Sequence, residues 1–222
     1  MAATRVFGVV LSELPTPGAD RTVVVFSNER GRLIVKARGA KKPGNKLAPS
    51  IQPLTAATFH LAAAGKTLIL SGVQVRSFHR RLRERLSSLS VAQAIAEAVD
   101  RTLPYDEPVP DVFRLTMNCL GALEKGARED AVLVFFLAKM VGLLGVAPSS
   151  AALEPLYVMK FADVGSIEAD AESFASWVAV LRGGLEKYAE ARIRSLDFAL
   201  EMLGRAGETG PPAPDASVPL PE

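Results

Sequence analysis

The chain has 222 residues, 49% of them apolar, which is enough for two modest cores, and no apolar run is long enough to cross a bilayer. Its formal net charge of +2 conceals a polarity: residues 1–85 carry 15 Lys or Arg against 4 Asp or Glu, a net of +11, whereas residues 86–222 carry 11 against 20, a net of −9. The single cysteine, Cys119, excludes an intramolecular disulfide and a thiolate zinc site, and its neighbours Met117, Leu120 and Leu123 predict an ordinary buried thiol.

Residues 1–11 alternate into a strand pattern without the apolar stretch or cleavage site of a signal peptide, so a cytoplasmic location is expected. Strand character recurs at 6–11, 22–26, 33–37, 58–61 and 67–75, with turn residues at 15–19, 28–31 and 63–66. Ser71-Gly72 interrupts the last alternation and predicts a bulge or bend. A long basic connection, 39–54, separates strands three and four. Five short strands with one long connection outline an OB-type barrel, with an open five-stranded sheet as the alternative.

After Phe78 the period becomes helical. Ser90 with Gln93 reads as a capping box ahead of Val91, Ile95 and Val99, and Pro104 ends that helix. Asp111 is placed to cap a second helix bearing Phe113, Met117 and Leu120. Glu129 and Asp130 set acid at the positive end of a third, whose stripe is Leu133, Phe136, Leu137, Met140, Val141 and Leu144 before Gly145 and Pro148. Phe174, Trp177, Val178, Leu181 and Leu185 form a further stripe. A break is expected at Arg182-Gly183-Gly184, then a last helix with Leu185, Tyr188, Ile193, Leu196, Leu200 and Leu203 inward. The expected class is α+β: an OB-fold domain over 1–79, a helical bundle over 80–206, and a disordered Pro-rich tail over 207–222.

The strong positive surplus on the first unit suits an anionic polymer, so nucleic acid is the expected partner. Lys41, Lys42 and Lys46 lie on the basic connection, and Arg32, Lys36 and Arg38 alternate along strand three toward one face. Arg21 belongs to the same surplus. Arg76, Arg80, Arg81, Arg83 and Arg85 form a second cluster at the junction, for which phosphate contact and pairing with acid from the helices are equally expected. Neither His60 nor His79 has a neighbour that suggests catalysis, and no phosphate loop, nucleophile elbow or metal-ligand spacing is present, so no catalytic residue, metal or cofactor is expected. The first unit offers only Phe7, Phe26, Phe59 and Phe78 as aromatics, so binding should rest on charge rather than base stacking. With about six phosphates neutralised, the log–log salt slope on duplex should be roughly −5.

Several stretches together resemble the RecO family of bacterial recombination mediators: G-V-V-L at 8–11, A-D-R-T-V-V-V-F-S at 19–27, G-R-L-I-V-K-A-R-G-A-K-K at 31–42, L-A-P-S-I-Q-P-L at 47–54, G-L-L-G-V-A-P at 142–148 and R-S-L-D-F-A-L-E-M-L at 194–203. The resemblance implies an OB fold followed by a helical domain, and binding of single- and double-stranded DNA with annealing of complementary strands. It also implies partnership with RecR in loading RecA onto strands coated by single-strand-binding protein. DNA contacts would fall on Arg32, Lys36, Arg38, Lys41, Lys42 and Lys46, and the helical domain would hold the tail of single-strand-binding protein. Many members carry a four-cysteine zinc ribbon where residues 149–169 here have neither cysteine nor histidine, so Leu153, Leu156, Tyr157 and Phe161 are expected to pack in its place. Two other readings remain: an adaptor working through its acidic helices, and an RNA-binding barrel.

Overall fold

The computed structural model describes residues 3–45, 47–65 and 67–208, apart from the side chains of residues 3 and 205–208. Five strands, β1 (Ala3–Leu14), β2 (Arg21–Ser27), β3 (Gly31–Ala37), β4 (Ala56–Ala64) and β5 (Thr67–Ser77), close into a barrel in the order β1-β2-β3-β5-β4. β1 outruns its expected span because it serves two neighbours, pairing through Gly8 to Leu14 with β2 and through Ala3 to Val9 with β4. A short parallel contact, Val35 with Leu68 and Lys36 with Ile69, completes the closure and hides the last edges. The bend expected at Ser71-Gly72 is present: His60 faces Gly72 and Leu61 faces Leu70, leaving Ser71 as an extra residue. Arg76 is a second extra residue on β5, between Val75 and Ser77.

Strand alternation sorts the barrel's apolar residues into two cores. Val6, Val10, Val23, Val25, Leu33, Val35, Phe59 and Leu61 fill the interior. Val9, Leu11, Val24 and Phe26 point outward and are buried instead against the helices, in one continuous core with them. Phe26 and Phe7 meet the edge of Phe113 at centroid distances of 5.4 and 5.9 Å. Each such buried side chain contributes about 1.5–3 kcal/mol, so this shared core joins barrel and helices firmly. At the far end, the long connection folds back as a plug, with Ala40 and Ile51 buried and a 3-10 turn at Ala48–Ile51. The β2–β3 turn closes on Gly31, at φ 66°, where an added Cβ would lie 1.8 Å from the Glu107 carbonyl oxygen.

The helices are α1 (Arg80–Glu84), α2 (Leu86–Thr102), α3 (Pro110–Glu124), α4 (Glu129–Leu143), α5 (Glu154–Val158), α6 (Ala171–Ala189) and α7 (Arg194–Glu208). α2 begins four residues before the expected capping box. Ser90 is buried within it and donates to the Ser87 carbonyl, while Ser87 and Ser88 donate to the buried Glu129 carboxylate at 3.1 and 2.7 Å. Asp111 does not cap α3, because Pro110 takes the first helical position and Asp111 pairs with Arg114 in the first turn. α4 carries acid at its start as expected, yet it is buried on every side rather than along one stripe: Val132, Val134, Phe135 and Ala138 are as enclosed as Leu133, Phe136 and Leu137. It is the axis around which α2, α3, α5 and α6 pack.

α6 runs unbroken through Arg182-Gly183-Gly184, where a break was expected. It ends at Glu190, whose φ of 49° turns the chain into α7. Tyr188 is exposed rather than inward. α7 lies on α2, and its last residues, 207–208, begin the stretch expected to be a tail; residues 209–222 lie outside the described residues. In place of a ribbon, α5 and the 3-10 segment Phe161–Ser166 cover α4. Leu153, Leu156, Val164 and Ile167 are buried there, Phe161 meets the Phe135 ring at 5.7 Å, and Tyr157 Oη donates to the Pro148 carbonyl.

Candidate nucleic-acid interface

Residues 38–45 form an ordered cationic projection. Asp20 holds its base, accepting from the Gly39 amide at 2.7 Å and from Lys36 Nζ at 3.0 Å; these two contacts, the amide first, draw the Asp20 carboxyl below its usual range. The Lys41 amide donates to the Ala19 carbonyl at 2.8 Å, and its ammonium to that of Thr16. Asn45 closes the loop, donating to the Gly39 carbonyl and accepting from the Leu47 amide. Gly39 and Gly44, at φ 64° and 76°, supply the left-handed turns that a side chain would resist. Arg38, Lys41 and Lys42 are left exposed on this frame, and neither Arg38 nor Lys42 has an ion-pair partner among the described residues. Lys46 lies outside the described residues.

Alternation along β3 does not deliver a single cationic face. Arg32 points into the barrel–helix junction, 6% exposed, with a guanidinium nitrogen 3.4 Å from Asp100 of α2 and its plane 3.9 Å from the Tyr105 ring centroid. It is therefore removed from the expected set of DNA contacts: it ties the two units together, with Ser12 Oγ donating to the other Asp100 oxygen at 2.9 Å. Ile34, one turn of the pleat along, is exposed and uncharged. Lys36 is half-buried beside Asp20, and Arg21 sits 3.6 Å from Glu13 with an enclosed Nε, so both are largely neutralised.

The junction cluster divides. Arg83 donates to the carbonyls of Phe78 and Pro53 and so holds α1 to the barrel, while Arg85 meets Glu129 at 2.8 Å and ties the start of α2 to α4. Arg76, Arg80 and Arg81 are exposed. The Arg80 guanidinium lies 5.8 Å from the Phe78 ring centroid, and no carboxylate pairs with any of the three side chains among the described residues. His79, at φ 46°, is buried with Nδ1 2.7 Å from the Leu54 carbonyl, a structural role, while His60 is exposed on β4. Phe26 and Phe59 are fully buried, which leaves the barrel no ring face for stacking beyond the flanks of Phe7 and Phe78. Sequence reasoning passed over Arg5, an exposed cation on β1 with no ion pair among the described residues; its position two residues before Phe7 on the outward face was the available signal.

Cys119 is buried within α3, and burial pushes its thiol well up. Among the described residues no helix is long and apolar enough to cross a membrane.

Residues 1–78 match the family described as Recombination protein O N terminal, and residues 83–152 that described as Recombination protein O C terminal. Similar proteins include the DNA repair protein RecO of Salinibacter ruber, 30% identical over 149 residues that cover 65% of this chain and 57% of that protein. The DNA repair protein RecO of Bacillus subtilis is 30% identical over 146 residues, 65% and 57%, and that of Geobacter metallireducens 28% over 145 residues, 65% and 59%. The chain thus spans a little under three fifths of the length of these curated relatives. With the barrel and the first helices both matched, the chain belongs to the RecO family of DNA repair proteins.

Proposed function

We propose that this protein is a non-enzymatic recombination mediator of the bacterial cytoplasm that binds single- and double-stranded DNA through the phosphate backbone. In this reading it anneals complementary strands and works with RecR to load RecA onto strands coated by single-strand-binding protein. The observation that supports it most is the 38–46 loop: Arg38, Lys41 and Lys42 are presented on a fixed frame, and the acid within reach, Asp20, is spent on the loop's own amide and on Lys36. Cations held this way lower the repulsion between two phosphate backbones, so complementary bases can meet. They read no sequence. The tail of single-strand-binding protein would take the apolar groove lined by Leu115, Phe135, Met159 and Phe161, with Arg114 and Lys139 beside it.

The test is fluorescence anisotropy of labelled oligonucleotides across a salt series, with and without RecR. Replacing Lys41, Lys42 and Lys46 together by Ala should weaken duplex binding at least tenfold and reduce the magnitude of the salt slope by about 2–3. Unaltered DNA affinity with lost RecR binding would instead favour an adaptor. That second reading has one observation behind it, an apolar cleft of about 730 Å³ lined by Phe174, Leu200 and Leu203 and edged by Asp130 and Asp170. Equal competition by RNA would shift the substrate class to nucleic acid in general.

A further inference from the structure

We propose that the barrel carries a second phosphate-binding station, a hollow formed by Arg5, Thr58, Gln74 and Arg76 on its β1-β4-β5 face. This station holds a second nucleic-acid strand while the 38–46 loop holds the first; the inference rests on the reading of the barrel as a nucleic-acid binder.

Register brings these residues together. Thr58 lies opposite Phe7 on one side and Gln74 on the other; Arg5 is two residues from Phe7 on the same outward face, and Arg76 is the extra residue of the β5 bulge. A bulge bends its strand and re-aims the side chain it carries, here into a hollow of about 340 Å³. The hollow offers two guanidinium groups, an amide and a hydroxyl, the donor set that surrounds a phosphodiester. Glu29 also lines it, but its Oε2 accepts from the Phe7 amide at 3.1 Å, and neither Arg5 nor Arg76 forms an ion pair among the described residues. Arg80 and Arg81 lie just beyond Arg76. Glu124, which accepts from the Arg81 and Leu82 amides at 3.4 and 3.0 Å, and Glu84 at the end of α1 are the acids of this stretch, and Arg76, Arg80 and Arg81 outnumber them.

The hollow is not a continuation of the loop. β5 begins beside the end of β3, with Ile69 opposite Lys36, and reaches Arg76 seven residues later, roughly 20 Å on at the rise of a strand. Between these points the exposed residues of β5, Ser71 and Gln74, are uncharged, and so is the exposed Ile34 on β3, and no Lys or Arg of β5 lies between them. That separation exceeds the Debye length of about 8 Å at physiological salt, so the two cationic groups act as separate stations. A strand on one gains nothing from crossing the bare surface to the other.

The experiment uses the full chain and two non-complementary oligonucleotides of about eight nucleotides, one bearing a donor and one an acceptor fluorophore. The chain should bind two strands per monomer and bring the dyes into energy transfer, with sedimentation under the same conditions showing a monomer. Arg5→Ala/Arg76→Ala should still bind one strand, lose energy transfer, and bind a second strand about tenfold or more weakly. Arg5→Gln/Arg76→Gln, which keeps hydrogen-bonding side chains on the same face, should behave alike. Two-strand binding and transfer that persist in both double variants overturn the proposal, as does transfer found only in a dimer. A single strand per monomer, weakened by either cluster's removal, overturns it in favour of one continuous track. No binding of any strand by the unaltered chain would sink the parent reading as well.

Discussion

In the helical unit Arg101 meets Glu97, Arg114 meets Asp111, Arg128 meets Asp130 and Arg182 meets both Glu186 and Asp197, whereas on the barrel Arg5, Arg38, Lys42 and Arg76 form no ion pair among the described residues. Exposed pairs of this kind add only about 0–1 kcal/mol each, so they do not explain why the helices hold together. Their effect is on the field outside the protein. Charges matched at short range leave little potential a few ångströms away, while unmatched ones project it to a ligand. Arg32, matched by Asp100, and Arg21 and Lys36, matched by Glu13 and Asp20, follow the helical pattern on the barrel; Arg5, Arg38, Lys42 and Arg76 do not.

The contrast can be broken most severely from the helical side. Phe136→Ala, at a fully buried position of α4, should cost about 3–5 kcal/mol in denaturant unfolding, because no neighbouring helix can close the cavity without leaving its own contacts. Next comes Asp100→Ala, which strands the Arg32 guanidinium in the junction and should cost about 3 kcal/mol; the further loss of Arg32 in a double variant should recover part of it. A third test uses acid. Burial raises the Glu97 carboxyl, but hydrogen bonds from Ser195 and the Arg194 amide, with Arg101 nearby, outweigh burial and leave it below its usual value. A lowered folded value means the stabilisation is complete above the unfolded value, about pH 4.3, and is lost as pH falls through the folded one. Acid titration of α7 docking, followed by hydrogen exchange, should show this loss. Glu97→Gln should remove that dependence at a cost of about 1 kcal/mol near neutral pH. The smallest effect should be a gain: Gly183→Ala adds a Cβ with nothing within 4 Å inside continuous α6, and should raise stability by about 0.5–1 kcal/mol.

Much of the barrel was legible because alternation and turn residues are local signals; even the Ser71 bulge is written as a Ser-Gly interruption between apolar residues. The acid at the start of α4 was legible for the same reason. What sequence reasoning misread depended on distant partners. Arg32 has the spacing of a surface cation, and only Asp100 and Tyr105, brought over by α2 and its following turn, turn it into a buried tie. Ser90 imitates a cap because nothing nearby reveals that Ser87 and Ser88 will be drawn into the helix by Glu129. Gly183-Gly184 suggested a break, but Leu181 and Leu185 on either side are buried, and their packing outweighs a glycine cost of about 1 kcal/mol each.

The β2–β3 turn rests against the link between α2 and α3 at Gly31, with less room than one methyl group needs before it meets Glu107's carbonyl. A single alanine there would act as a crowbar. The barrel interior is a core of its own, whereas the helical core is shared with Val9, Leu11, Val24 and Phe26, so the strain would fall on that shared face, and the angle at which the cationic faces meet the helices would cease to be set.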